Sequence, residues 1–342
     1  MELKSFRLGV LNPGGRDADQ DFTDFAGAPN LALHAPINYH GYAAATGGAF
    51  LRSVESVRSR NISNVLLLLR SDLKRTLKTV RELKTSGCRV FVSFKESGLH
   101  QVSASLLKAD YAALFKQILI EADGALSSTP DLIPIYEAGG ARMVDFIPTP
   151  YPVNDAQWCF SQPVSSRRGI FVGTREFNIS SRNHALALLI ALQLGREFST
   201  YVTVVNDDGR RGRKQIGQIG KYCPETEVKV IEGRQPYPEY LRTIASHRIV
   251  WQWDHSAVPG QVAGDALLCG IPCVGGNGAI ERLGFPECCG HGRDLIEAQN
   301  IARELLSHSA YYFELSARSL VNARLKISFE AIRLQLASLF FG

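Results

Sequence analysis

The stretch HRIVWQWDHSAVPGQVAGDALLCGIPCVGG, residues 247–276, decides the fold of this chain. It begins with an apolar strand predicted at 249–253, crosses the polar residues 254–256, and enters a helix predicted to start near Pro259. A second short strand is predicted at 271–274 and is followed by two glycines. Strand, helix and strand in this order form a βαβ unit, which binds phosphorylated ligands at the carboxyl ends of its strands.

The start of the predicted helix is suited to an anion. The first amides of a helix have no partner inside it and carry roughly half a positive charge, so residues 258–261 can receive a phosphate without a cationic side chain. Pro259 at the first helical position and Gly260 beside it are typical of such a start. At about 1.5 Å per residue, Asp265 lies roughly 9 Å along the helix, a plausible distance from a pyrophosphate to a ribose hydroxyl.

The composition indicates a globular protein of two domains. The chain has 342 residues, of which 45% are hydrophobic, so it can bury a large core and is long for one domain. No apolar run approaches the length of a membrane-spanning helix, and the N-terminus lacks the apolar core of a signal peptide. We therefore expect a cytoplasmic protein that is soluble or peripheral on the inner face of a membrane.

The cysteine count and the net charge bear on metal binding, disulfides and nucleic-acid binding. The seven cysteines are an odd number without paired zinc-ligand spacing, which predicts buried free thiols in a reducing cytoplasm rather than disulfides or a metal site. The net charge of +5 is mild, and we expect no nucleic-acid partner.

Strands and helices alternate along both halves of the chain, which predicts an α/β protein with parallel sheets covered on both faces. Strands are predicted at 6–11, 31–34, 65–69, 89–94, 125–127, 142–146, 168–172, 201–205 and 228–231, and helices at 48–58, 73–84, 104–121, 132–137, 183–194, 238–246, 295–306 and 329–339. Three prolines within residues 147–153 predict an interdomain linker. The expected domains are therefore an N-terminal, acceptor-side domain at 1–150, a donor domain at 151–325, and a C-terminal helix at 326–342 that packs back on the first domain.

Several motifs in the second half lie in the order of a known domain. A strand is followed by Gly-Thr-Arg at 173–175, Arg182-Asn183 opens a helix, and DALLCGIP at 265–272 precedes Gly275-Gly276. This order resembles the donor-binding domain of GT-B glycosyltransferases, in the family 4-like branch called glycosyl transferases group 1. The resemblance implies two Rossmann-like, doubly wound domains that face each other across a cleft, with the nucleotide-sugar donor bound mainly to the second.

The resemblance also assigns residues. Asp265 takes the position of the carboxylate that holds the nucleotide ribose, and Arg175 and Arg182 take the position of a diphosphate clamp. Arginines suit that role physically, because they supply permanently charged, bidentate donors to the charge that develops on a departing diphosphate. The family has a glutamate eight residues before the ribose carboxylate; here that position is Ala257, and residues 254–256 are its candidate replacements.

Other candidate residues follow strands or precede helices. The further donor-site candidates are Gly14, Gly15, Gly173, Gly233, Tyr237, His255, Ser256, Gly260 and Gln261. Gly14 and Gly15 form a turn after the first strand that can approach the donor phosphate or the acceptor. Gly233, Arg234 and Tyr237 lie where the family contacts the base.

The catalytic side is expected at the end of the strand 89–94. Lys95, Glu96 and His100 are candidates for contact with the transferred sugar or the acceptor, with exposed loop residues as the alternative. His34 and His40 are further candidates for the acceptor side, although a lone histidine is more often structural.

The first half also carries a basic region. Residues 52–116 contain 13 Lys or Arg against five Asp or Glu, and the helix 73–84 has a basic amphipathic face. Such a face either docks on an anionic membrane or is an ordinary solvated helix surface.

The predicted function is a glycosyltransferase of glycan biosynthesis. It moves a sugar from a nucleoside diphosphate donor to a glycan, lipid-linked or small-molecule acceptor, with retention as the resemblance implies. We expect no cofactor and no metal, because arginines and helix dipoles neutralise the leaving group, and the nucleotide sugar is a substrate. Two alternatives stay open: a nucleotide-sugar epimerase of the same fold, and a catalytically inert nucleotide-sugar-binding protein, which Ala257 motivates.

Overall fold

The computed structural model describes residues 6–29, 33–95 and 98–341, which form two compact α/β units. The first unit contains Met1–Gln157 and Ile327–Gly342, and the second contains Trp158–Lys326. Each unit holds one β-sheet. The strands are β1 (Leu8–Leu11), β2 (Gln20–Asp21), β3 (Ala49–Leu51), β4 (Asn64–Leu69), β5 (Arg89–Phe94), β6 (Gly124–Ser127), β7 (Val144–Phe146), β8 (Ile170–Val172), β9 (Val202–Asn206), β10 (Val228–Glu232), β11 (Ile249–Trp251) and β12 (Cys273–Val274).

The helices cover the faces of these sheets. They are α1 (Asn38–Ala45), α2 (Val54–Ser59), α3 (Leu73–Thr85), α4 (Leu99–Leu106), α5 (Ala109–Glu121), α6 (Ile133–Ala138), α7 (His184–Glu197), α8 (Gly209–Gly220), α9 (Tyr237–Ala245), α10 (Gln261–Cys269), α11 (Ala279–Gly284), α12 (Leu295–Ser307), α13 (Ser309–Lys326) and α14 (Phe329–Phe341).

The sheet of the first unit has the order β2-β3-β1-β4-β5-β6-β7, and only β2 runs antiparallel to its neighbour. On one side of β1 lie β3 and then β2, and on the other side β4, β5, β6 and β7 follow in chain order. The strand order therefore reverses between β1 and β4. In open α/β sheets a ligand binds outside the carboxyl ends of the strands at such a switch point.

The C-terminal helix α14 belongs to the first unit. The ring of Phe340 lies 4.6 Å from that of Phe91 on β5, and Arg89 donates a hydrogen bond of 2.6 Å to the carbonyl of Phe340. The proline-rich segment 147–153 also lies within this unit: the Tyr151 amide donates to Ile327 O at 3.0 Å. Because prolines lack an amide hydrogen, this segment can be buried with few donors left unsatisfied.

The second unit has an all-parallel sheet in the order β10-β9-β8-β11-β12, so its switch point lies between β8 and β11. The strand β11 is buried throughout, and the indole of Trp251 donates to Ala187 O on α7 at 3.0 Å. Trp251 is therefore a core residue that ties helix to sheet.

Three predicted elements of the first unit differ from the structure. The helix predicted at 48–58 is strand β3 followed by α2, because residues 49–51 are buried and pair with β1 and the Ser53 side chain then caps α2. The helix predicted at 104–121 is two helices, α4 and α5, separated at Leu107 and Lys108. Of the strand predicted at 31–34, residues 31 and 32 lie outside the described residues, and 33 and 34 are not in a strand.

In the second unit the sequence did not predict α8, whose four glycines disfavour a helix. One of them is required by packing: a Cβ on Gly212 would lie 2.1 Å from Oδ1 of Asn206. All seven cysteines are free, and all but Cys159 are buried. Within the described ranges no helix combines the length and apolarity needed to cross a bilayer.

Candidate functional site

The loop after β8 lies directly against the first turn of α10. The Gly173 amide donates to Trp251 O at 2.9 Å, so it is used inside the sheet. A Cβ on Gly173 would lie 2.4 Å from Cγ1 of Val262. Only glycine therefore lets the loop at the carboxyl end of β8 approach the beginning of α10 this closely.

The helix α10 begins at Gln261 and not at Pro259 as predicted. Its N-cap is Gly260, which has a φ of +99°, a conformation that residues with a side chain rarely adopt. A Cβ on Gly260 would lie 2.2 Å from Oε2 of Glu281. The glycine thus sets the direction of the first helical amides, which have no partner inside the helix.

Asp265 is fully buried one turn inside α10. Its Oδ1 accepts a hydrogen bond of 2.5 Å from the Tyr237 hydroxyl, and its Oδ2 has no hydrogen-bond partner among the described residues. Burial raises the pKa of Asp265 to about 7, against the lowering effects of the hydrogen bond from Tyr237, the charge of Arg175 and the side chain of Gln261. One carboxylate oxygen is therefore open to a hydroxyl donor such as a ribose.

Arg175 lies beside this carboxylate. Its guanidinium carbon is 5.4 Å from the centre of the Tyr240 ring, and its Nη1 is 3.4 Å from Oδ2 of Asp207. Burial acts to lower the pKa of Arg175, but Tyr240, Asp207 and Asp265 raise it above its usual value. We call Arg175, Tyr237, Tyr240 and Asp265 the aspartate corner.

Arg182 belongs to a second group of contacts. Its Nη1 donates to Oδ2 of Asp254 at 3.0 Å, and its Nε lies 3.7 Å from Oε2 of Glu176. The other oxygen of Asp254 accepts from the Ser256 amide at 2.8 Å. These four residues form what we call the arginine corner, in which carboxylates hold the guanidinium in place.

The loop after β11 is joined to the turn that carries Arg182. The hydroxyls of Ser181 and Ser256 lie 2.8 Å apart, and the His255 amide donates to Ser181 O at 2.8 Å. The His255 ring rests against Trp253, with ring centres 4.4 Å apart. Ser256 is fully buried, so its contacts support the arginine corner from within.

Glu281 is a site residue that the sequence did not single out. It is 2% exposed; Oε1 accepts from Gln252 at 2.7 Å, and Oε2, which lies behind Gly260, has no hydrogen-bond partner among the described residues. Burial raises its pKa to about 7. The available signal was an acidic residue in the apolar sequence that follows Gly275-Gly276.

Of the three residues predicted near the base, Tyr237 belongs to the aspartate corner and Gly233 and Arg234 do not. Gly233 is exposed with a φ of +71°, and its amide donates to Asn206 O at 3.0 Å. Arg234 is also exposed. These two residues lie beyond the carboxyl end of β10, and a Cβ added to Gly233 would have no atom within 4 Å.

The first unit places its candidate residues at the carboxyl edge of its own sheet. Gly14 is exposed with a φ of +74°, and the Gly15 amide donates to Asn12 O at 3.0 Å. Lys95 follows β5 and lies 3.8 Å from Asp17.

The other candidates on this side differ in burial. His100 is exposed on α4, and Glu96 lies outside the described residues. The rings of His34 and His40 are 4.8 Å apart, and burial together with His34 lowers the pKa of His40 to about 3. His40 is therefore neutral at physiological pH.

Two further predictions concern charge. On the basic face of α3, Lys78, Arg81 and Lys84 pair with Glu82, Glu121 and Asp123 at 3.7, 2.7 and 2.5 Å, which reduces the net positive charge of that face. Across the residues that the structure describes, no group of three His, Cys, Asp or Glu side chains is placed to hold a metal ion.

Solved structures of low sequence identity share this architecture. An alpha-glucosyltransferase in complex with UDP-glucose and DNA containing an abasic site has a TM-score of 0.64 and 9% identity over 98% of this chain and 99% of that one. A glycosyltransferase from Rickettsia africae has a TM-score of 0.64 and 10% identity over 98% and 97%. The chain has the GT-B fold.

A third GT-B structure extends the comparison. The UDP-forming alpha,alpha-trehalose-phosphate synthase from Burkholderia xenovorans has a TM-score of 0.60 and 13% identity over 88% of this chain and 78% of that one. No protein-family model matches the chain, and no curated protein sequence matches it. The GT-B fold with two Rossmann-like sheets, expected from the motifs at 173–175 and 265–272, is thus confirmed by structural similarity alone.

Proposed function

We propose that the protein is a glycosyltransferase that takes its sugar from a nucleoside diphosphate donor. The observation that carries this proposal is Asp265, a fully buried carboxylate with one oxygen that has no hydrogen-bond partner among the described residues, next to the cation Arg175. A nucleotide ribose supplies hydroxyl donors for that oxygen, and its diphosphate supplies negative charge for the guanidinium. The glycosyltransferases among the similar structures support the same function.

The chemistry follows from where charge develops. When the glycosidic bond of the donor breaks, the leaving diphosphate gains negative charge. Arg175, Arg182 and the first amides of α10 are donors of the kind that stabilise this charge without proton transfer. We therefore propose a metal-independent transfer, with retention at the anomeric carbon and a glycan, lipid-linked or small-molecule acceptor.

The first experiment identifies the donor. Thermal-shift measurements with UDP, GDP, ADP and CDP should show stabilisation by one of them, because a ligand that binds only the folded state raises the melting temperature. That nucleotide's sugars are then incubated with the protein, and slow release of nucleoside diphosphate supports the transferase.

Variants test the role of Asp265. Asp265→Asn should bind the nucleotide about ten-fold or more weakly, since a hydrogen bond to a charged group contributes about 1.5–3 kcal/mol. Asp145→Asn is the matched control, because Asp145 is exposed on strand β7, and it should bind normally. If Asp265→Asn binds as tightly as the unmodified protein, the ribose assignment fails.

Ala257 favours a second candidate, a nucleotide-sugar-binding protein without turnover. The alanine provides no carboxylate at this position; it is buried with a φ of +50°, and its amide donates to Oδ1 of Asn277 at 2.9 Å. Nucleotide binding without diphosphate release from any sugar donor would establish this candidate. Interconversion of the donor sugar would instead identify an epimerase.

A further inference from the structure

A cluster of donors lies at the switch point of the first unit. The turn Asn12–Gly15 follows β1, and Arg70 follows β4, the adjacent strand. Arg70 Nη1 lies 3.4 Å from Oδ1 of Asn12, and a Cβ on Gly14 would lie 2.7 Å from Nη1 of Arg75. Two guanidinium groups thus contact one glycine turn.

Neither guanidinium is neutralised within the described part of the chain. Within the described ranges, the Arg70 side chain forms a hydrogen bond only with the neutral amide of Asn12, and the Arg75 side chain forms no hydrogen bond or ion pair. The acids nearby have other contacts: Asp72 accepts from the Arg75 amide at 3.0 Å as the cap of α3, and Asp17 lies 3.8 Å from Lys95. Among the described residues, no carboxylate therefore forms a hydrogen bond or ion pair with either guanidinium.

Asn12 provides an independent sign of a missing ligand. It is fully buried, and its Nδ2 has no hydrogen-bond partner among the described residues. This nitrogen lies inside the turn, because a Cβ on Gly15 would be 2.3 Å from it. Leaving such a buried donor unsatisfied costs about 1–3 kcal/mol, and an anion at the turn would remove that cost.

We propose that Asn12, Arg70 and Arg75 form an anion site that binds the phosphate group of a second, phosphorylated substrate. A phosphate offers acceptor oxygens to both guanidinium groups at once, which a hydroxyl cannot do. The site belongs to the first unit alone and is built separately from the aspartate and arginine corners. The assignment of the phosphate to the acceptor rests on the proposed function, whereas the anion site itself does not.

Calorimetric titration with inorganic phosphate tests the site. We expect phosphate to bind the protein alone and equally well when it is saturated with the nucleotide that stabilises it most. Arg75→Gln and Arg70→Gln should each weaken phosphate binding at least ten-fold. Lys74→Gln is the matched control, because Lys74 is exposed on the same helical turn and should change the affinity less than two-fold.

Asn12→Asp tests the same site while keeping both arginines. The new carboxylate would pair with Arg70, so phosphate binding should be lost while nucleotide binding is kept. Phosphate binding that is absent, or unchanged in both Arg75→Gln and Asn12→Asp, would overturn the anion site.

The nucleotide arm distinguishes the source of the phosphate. If the nucleotide displaces inorganic phosphate, the turn binds the donor diphosphate and the assignment to a second substrate is wrong. If no nucleotide binds but phosphate binding depends on Arg75, the anion site stands while the proposed donor function fails.

Discussion

The two sheets both reverse strand order at a switch point, but the arginines at the two switch points have different partners. In the second unit the cations are matched by carboxylates: Arg175 lies 3.4 Å from Asp207, and Arg182 lies 3.0 Å from Asp254. In the first unit the corresponding edge pairs Arg70 with the neutral amide of Asn12. The buried atoms without a hydrogen-bond partner in the described part of the chain also differ in kind: an acceptor oxygen of Asp265 and a donor nitrogen of Asn12.

This difference shows how one sheet topology supports two kinds of recognition. A guanidinium held by a carboxylate is oriented before a ligand arrives, which suits a site that must position a leaving group. A guanidinium without a carboxylate partner attracts any anion more strongly, which suits a site that only binds one. The open acceptor of Asp265 selects hydroxyl groups, and the open donor of Asn12 selects anions.

The largest expected effect is that of Gly260→Ala in the second unit. The left-handed backbone costs about 1–2 kcal/mol for an alanine, and displacing the buried Glu281 carboxylate adds about 1–3 kcal/mol. Chemical denaturation should therefore show a loss of about 2–5 kcal/mol, together with weak nucleotide binding. In Gly217→Ala the added Cβ would meet no atom within 4 Å, and the stability should change by about 1 kcal/mol or less. Equal stability of the two variants would contradict the tight contact at Gly260.

The next effect concerns the pH dependence of stability. The pKa of folded Asp265, about 7, lies above the unfolded value of about 3.9, so the folded chain binds the extra proton between these pH values. The stability that this extra proton provides is fully present below the unfolded pKa of about 3.9 and is lost as the pH rises through 7. From pH 5 to pH 8, the free energy of unfolding of the unmodified protein should fall by about 2–3 kcal/mol more than that of Asp265→Asn.

The stability of Asp265→Asn should still depend on pH, because burial raises the pKa of Glu281 to about 7 as well. The double variant Asp265→Asn with Glu281→Gln should therefore show the smallest slope of stability against pH. Identical slopes for all three proteins, measured by urea denaturation at each pH, would contradict the raised pKa of the buried Asp265 carboxylate.

Arg182→Ala has an intermediate expected effect. Loss of a charged hydrogen bond to the diphosphate should weaken nucleotide binding by about 1.5–3 kcal/mol, or roughly 10- to 150-fold. Arg211→Ala, on the exposed surface of α8, should leave calorimetric affinity unchanged. Normal affinity in Arg182→Ala would mean that the arginine corner only supports the loop after β11.

The smallest expected effect is that of Gly14→Ala in the first unit. Its neighbour is the flexible end of Arg75, so the stability should fall only by the backbone strain of about 1–2 kcal/mol. Phosphate binding should weaken while nucleotide binding stays the same. Gly87→Ala has a comparable φ, +76°, and no atom within 4 Å of the added Cβ, so it should lose similar stability but keep phosphate binding. The same phosphate affinity in both variants would separate Gly14 from the anion site.

Much of the fold could be predicted from local patterns. Strand β5 matches the prediction at 89–94 residue for residue, and α3 starts at Leu73, as predicted. Helix α8 could not be predicted, because its glycines disfavour a helix and Gly212 is required by a contact with Asn206, six positions earlier in the chain. The start of α10 also differs from the prediction near Pro259: the helix begins at Gln261, because the left-handed backbone of Gly260 ends the preceding loop.

The candidate site was predictable only in part. The motifs grouped Arg175, Arg182 and Asp265, and the structure places Arg175 next to Asp265 but Arg182 in a separate corner with Asp254. Glu281 and Asn12 were missed, because an acidic residue in an apolar sequence or an asparagine after a strand does not reveal which polar atom is buried without a hydrogen-bond partner among the described residues.

The sequence by itself determined the alternation of strands and helices, the two Rossmann-like sheets and the glycine turns, because these depend on periodicity and backbone preference over a few neighbouring residues. Only the tertiary structure decided which cations are neutralised. Asp254 is 72 positions from Arg182, and Asn12 is 58 positions from Arg70, so their contacts depend on strand order and not on sequence neighbours. The charge balance that separates the two switch points is therefore a property of the folded sheets.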